Sequence, residues 1–249
     1  MGLDVTYHPI DPAWAEGAFL SLVPAARARD LSHARQLAAD AGLGQDARDL
    51  YLSLLSAAAS WDDPAAPFEA GWGYALCAAQ TCFGPYWYTR GSSLTGFLGA
   101  PGAPAGLAAD LGGEPALSHL PPNPREGRIT QNYRSGAWLP PASVGRLLSL
   151  LGSDPAVSSA FRAAFPGGQS EVVGSALGWA REHGCGLMEA ADLVVPDPVD
   201  PRGTEATCWL PNLDLAGVRL YAAEAERQLR GAGAPYDEMT RGVPRWFDL

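Results

Sequence analysis

The residues best equipped for chemistry in this 249-residue chain stand in one short run, Phe83-Gly-Pro-Tyr-Trp-Tyr-Thr-Arg-Gly91. Tyr86, Trp87, Tyr88 and Arg90 combine flat apolar rings, hydroxyl donors and a planar cation, the groups that line ligand pockets and anchor protein interfaces. An extended backbone turns alternate residues to opposite sides. Tyr86, Tyr88 and Arg90 would then form one polar aromatic wall, a candidate binding surface, with Trp87 aimed into the core. The competing expectation is that Gly84-Pro85 makes a turn, the rings fill the core and Arg90 pairs with a carboxylate.

A second constellation is Asp4, Thr6 and His8, three alternate positions near the N-terminus. A carboxylate that orients an imidazole can make a general base, so His8 and Asp4 are the candidate catalytic residues. Same-face neighbours on a strand lie roughly 6.5–7 Å apart, which sets Asp4 and His8 about 13 Å apart and out of direct contact. An ordinary polar edge is the competing reading. Asp192, Asp197, Asp200 and Glu205 gather around prolines without the spacing of a calcium-binding loop, and read as solvated loop acids. Cys77, Cys82, Cys185 and Cys208 contain no Cys-x-x-Cys pair. The sequence therefore predicts no metal site, no cofactor and free thiols in a reducing cytoplasm.

Other patterns exclude chemistry. Gly42-Leu-Gly-Gln-Asp-Ala47 spells a dinucleotide fingerprint, but it follows a helical pattern where that fingerprint demands a strand. Neither G-x-S-x-G nor H-E-x-x-H occurs, which removes the commonest signatures of serine hydrolases and zinc proteases. All seventeen basic residues are arginine, so catalysis through a lysine Schiff base, a P-loop lysine or a kinase lysine is closed to the chain. The text is rich in Ala, Arg, Gly and Pro, as a GC-rich bacterial coding sequence would be. A formal charge of −10 disfavours nucleic acid, which needs concentrated positive charge, and suits a basic protein as partner. The same charge also keeps a chain dispersed in water. No basic and apolar leader and no membrane-length apolar run is present, so a cytoplasmic location is expected.

The elements that must position these residues follow from periodicity. Alternation over residues 3–10 predicts a strand, and Asp11-Pro12 a helix start. Ser32 to Ala41 reads as a helix. Ala47, Leu50, Tyr51, Leu54, Leu55 and Ala58 mark one helical stripe, and Val144, Leu147, Leu148 and Leu151 another, expected to pack together as the core. Val157, Phe161 and Phe165 follow an Asp154-Pro155 start; Val173, Ala176, Leu177 and Ala180 form a third stripe, ended at Gly184. Asp214 to Arg230 completes the helices. Strands are expected near 128–139 and 187–195, and residues 99–127, dominated by Pro, Gly and Ala, as a long loop. The expected architecture is a helix-rich α+β domain spanning 1–249, with a few strands against six or seven helices, or two lobes joined through 99–127.

Together these features suggest an acidic cytosolic binding protein, of the kind that inhibits a basic partner as an immunity protein or antitoxin does, through Tyr86, Tyr88 and Arg90. The alternative is a small hydrolase or transferase whose pocket is formed by residues 83–91 and the Asp4, Thr6 and His8 face. Convergence in space separates the two.

Overall fold

The computed structural model describes residues 3–60, 70–104 and 135–249. The first strand, β1 (Asp4–Ile10), stops at Asp11, whose carboxylate accepts from Ala13 N at 2.8 Å while Pro12 takes the first helical position of α1 (Pro12–Ala18). This pairing of an acid cap with a proline satisfies one orphan amide and removes another. Four helices follow: α2 (Val23–Arg27), α3 (Ser32–Asp40), α4 (Gln45–Ala59) and α5 (Ala70–Gln80). Gly42, at φ +71°, ends α3, so the glycines of the fingerprint-like run serve as a helix exit and link.

Next come β2 (Trp87–Arg90) and α6 (Leu94–Leu98), then β3 (Ser135–Leu139), α7 (Pro141–Ser153), α8 (Pro155–Ala164) and α9 (Gln169–Glu182). The chain closes with β4 (Gly186–Ala191), β5 (Val194–Val195), β6 (Glu205–Ala206), α10 (Ala216–Gly231) and α11 (Tyr236–Met239). The fold is helix-rich α+β. Among the described residues no helix is long and apolar enough to cross a membrane.

The main sheet runs β2-β1-β4-β3 with every neighbour antiparallel, and β5 and β6 form a separate ribbon. Helices lie on both faces. Ile10, Tyr86, Tyr88, Met188 and Ala190 point into one core with residues of α1 to α5, and Val5, Tyr7, Trp87, Leu139 and Leu187 into another with residues of α6 to α9. The stripe on α4 and the stripe on α7 therefore do not meet. They lie on opposite sides of the sheet, α4 packed on α2 and α5, and α7 on β3, β4 and α9.

Two expected strands change in detail. The run 187–195 breaks at Asp192, which adopts φ +58° and separates β4 from β5. Of 128–139, residues 135–139 form β3, and 128–134 lie outside the described residues, as does the loop beyond residue 104. Helices α2, α6 and α11 have no counterpart among the expected elements.

Two contacts hold the sheet to its helices. Glu189, fully buried on β4, accepts from Leu94 N at 2.7 Å, from Thr95 N and Ala137 N at 2.9 Å each, and from the Thr95 hydroxyl. Its carboxylate thus caps α6 and replaces a missing rung where the β3 ladder shifts register between Ser135 and Trp138. Burial pushes this carboxyl upward, and the four donors, which favour the ionised form, oppose that shift.

At the other edge α10 lies directly on β2. A Cβ placed on Gly217 would come 1.7 Å from Tyr88 O, so only glycine permits this approach. An alanine in a helix normally stabilises it by roughly 0.5–1 kcal/mol over glycine. Gly217→Ala is expected to invert that sign and cost about 2 kcal/mol or more through the backbone shift it forces. Denaturant midpoints measure it, and a stabilised variant would mean that α10 does not dock on β2.

Candidate functional site

The two constellations read from sequence are brought together. The β1–β2 register sets Asp4 opposite Arg90 and Thr6 opposite Tyr88, so one sheet face carries Asp4, Thr6, His8, Tyr86, Tyr88 and Arg90. Tyr86 and Tyr88 share that face, and Trp87 turns to the other core, as alternation predicts. The face itself is not a surface. Helices of the first core cover it, and Thr6, His8, Tyr86 and Tyr88 are all 0 % exposed, with Asp4 at 4 %. The wall expected at Tyr86 and Tyr88 is therefore interior packing, because the strand that carries it is flanked by helices on both sides.

Inside, each polar group has found a partner. Arg90 Nη1 donates to both Asp4 oxygens, at 2.5 and 2.8 Å, and the Tyr88 hydroxyl donates to Asp4 Oδ1. The guanidinium lies 4.4 Å from the centre of the Tyr221 ring on α10, and its side chain keeps 28 % exposure. Burial, then the Asp4 charge, pushes the Tyr88 hydroxyl well above its ordinary range, so it keeps the proton that it donates to Asp4.

His8 is held differently. Its ring stacks on Tyr86 at 5.3 Å, with Nδ1 3.2 Å from Gln80 Oε1 and Nε2 2.8 Å from Thr6 Oγ1. Gln80 uses its amide nitrogen on Pro85 O at 3.3 Å, so its oxygen faces His8 and Nδ1 must carry the proton. Nε2 lies 2.8 Å from the Thr6 hydroxyl, whose single proton is shared between that nitrogen and Ala190 O, to which it donates at 3.1 Å. Burial lowers the imidazole from its ordinary value to about 3. A base that cannot hold a proton at neutral pH, and that water does not reach, is structural in this geometry. Asp4 and His8 do not touch.

The remaining expected residues disperse. Asp197 Oδ1 accepts from Val199 N and Asp200 N at 2.8 and 2.9 Å, and Asp200 pairs with Arg202. These are turn and surface contacts, and no cluster of acids, His or Cys suited to a metal occurs among the described residues. All four cysteines are free and buried, and burial pushes the Cys82 and Cys208 thiols up to about 12.

A different feature faces solvent on the Trp87 side. Leu213 bridges to Tyr86, with Asp214 N donating to Tyr86 O at 2.8 Å, so the start of α10 runs beside β2. Between the N-terminal turns of α9 and α10 lies a groove of about 360 Å³. Trp87, Val172 and Leu220 supply its apolar walls, and Glu171 and Asp214 its carboxylates. Neither acid has a cationic partner among the described residues. Sequence reading missed this site because Glu171 and Asp214 look like ordinary helix-start acids, forty-three positions apart by their numbers.

Two outcomes follow. Because the folded His8 pKa lies below the unfolded value near 6.5, the unfolded chain binds the extra proton as pH falls, and stability drops between about 6.5 and 3. His8 alone should account for a loss of about 3 kcal/mol between pH 7 and pH 4, seen as the difference in denaturant midpoints between the native chain and His8→Gln. Equal acid sensitivity in both would place His8 in contact with water. Arg90→Ala strands a buried carboxylate and should cost about 2–4 kcal/mol, with the Asp4→Ala/Arg90→Ala double variant losing clearly less than the sum of the two single changes. A change below about 0.5 kcal/mol would leave Arg90 free of any such duty. Compared with known protein families, with curated proteins and with solved structures, the chain matches none.

Proposed function

We propose that this chain is an acidic binding protein that captures a basic partner protein, in the manner of an immunity or antitoxin-type inhibitor. The observation that carries the reading is that the groups suited to acid–base chemistry, His8 and Asp4, are sealed and each bonded to separate neighbours, while the carboxylates on the exposed groove have no cationic partner among the described residues. The surplus of ten negative charges would steer a cationic protein toward such a surface and suppress acidic competitors. The hydrolase or transferase alternative needs a reachable His8, and the closed packing around that ring withdraws its support.

Capture on the immobilised chain, followed by association rates for each protein recovered, tests the proposal. The expected result is a partner of net positive charge bound in fixed stoichiometry, with an association rate that falls roughly tenfold or more from low to high salt. Recovery of only neutral or acidic proteins, or of none, ends it.

A further inference from the structure

The groove between α9 and α10 has the layout of a receptor for one long cationic side chain. Its walls, Trp87, Val172 and Leu220, are apolar, and its anionic groups, Glu171 and Asp214, stand one on each helix. An aliphatic stem that ends in a cation matches both parts, since arginine and lysine lay their methylenes on apolar surface and keep the charged head beside water or carboxylates. A neutral apolar guest would leave the acids unused, and an anion would meet like charge.

Both acids also sit at helix N-termini, where a negative charge complements the dipole. That role accounts for part of their charge only. Each helix end amounts to about half a positive charge, so two carboxylates leave a net negative charge of about one over the groove. Their hydrogen bonds are likewise incomplete: Asp214 Oδ1 accepts from Ala216 N at 2.9 Å and Glu171 Oε2 from the Ser170 hydroxyl at 3.0 Å, which leaves Asp214 Oδ2 and Glu171 Oε1 without protein donors among the described residues.

Space is left by small residues. Gly168, Ser175 and Ala216 line the groove, and Gly168 combines φ +89° with a position where a Cβ would stand 3.2 Å from Leu220. The volume of about 360 Å³ falls at the small end of ligand pockets and far above the roughly 30 Å³ of a water molecule.

We infer that this groove receives an arginine or lysine side chain presented by the partner protein, an inference that rests on the binding reading above and gives it an address. A blocked arginine dipeptide and its citrulline counterpart, equal in shape but uncharged, serve as probes, followed by the indole and methyl NMR signals of Trp87 and Leu220. Arginine should bind in the millimolar range and shift those signals, citrulline about threefold or more weakly. Glu171→Gln combined with Asp214→Asn, which keeps an oxygen for Ala216 N, should remove the preference without moving the melting temperature by more than a few degrees. Equal binding of the two peptides, no shift up to about 50 mM, or shifts confined to residues outside the groove would overturn the inference. The captured partner separates the two ideas: if it binds the double variant as tightly as the native chain, the groove is not its seat while the binding reading stands, and a tenfold or greater loss of affinity supports the assignment.

Discussion

Strand β1 is covered on both faces, and most of the molecule's polar architecture answers that one constraint. All seven of its residues are buried, yet on one face Asp4, Thr6 and His8 carry groups that water would otherwise satisfy. An unpaired buried donor or acceptor costs about 1–3 kcal/mol. Asp4 is matched by Arg90 and Tyr88 from β2, His8 by Gln80 from α5 and by Thr6 beside it. The pairings also lock register, since a slip of one residue would turn this polar row into the apolar core that holds Val5 and Tyr7. Glu189 plays the same part on β4, where a carboxylate in the interior ties a short helix and an irregular strand to the sheet.

Closure of the β2 edge creates the exposed site. An open edge invites pairing with other chains, and here residues 212–214 run beside Tyr86 before α10 presses Gly217 onto Tyr88 O. That approach sets the first turn of α10 beside the first turn of α9, with Trp87 between them. The groove is thus a by-product of how the edge is covered, through a backbone contact that admits no side chain.

Charge is distributed unevenly. Arg202, Arg227 and Arg230 are engaged with acids on the surface, Arg227 with Glu224 and Arg230 with Glu226 along α10, and Arg230 also with Asp237 on α11. Such exposed pairs add little to stability. Their effect is local neutrality over the C-terminal half of α10, while the acids at its start and at the start of α9 stay uncompensated.

Local chemistry decided what could be read from residues alone. Asp11-Pro12 and Asp154-Pro155 start helices because cap and proline act within three residues, and Tyr86, Trp87 and Tyr88 alternate because an extended backbone has period two. Helix α5 has no amphipathic stripe to fix its bounds, since Ala75 through Ala79 are all buried and a helix apolar on every side shows none. Glu189 was hidden as a single acid in an apolar run. What only the tertiary structure decided is which side of each pattern meets water. Periodicity states that Asp4, Thr6 and His8 share a face; whether that face is solvated depends on α5 and β2 arriving from some seventy to eighty residues away. Burial is a property of the neighbours, and no spacing within a strand encodes them.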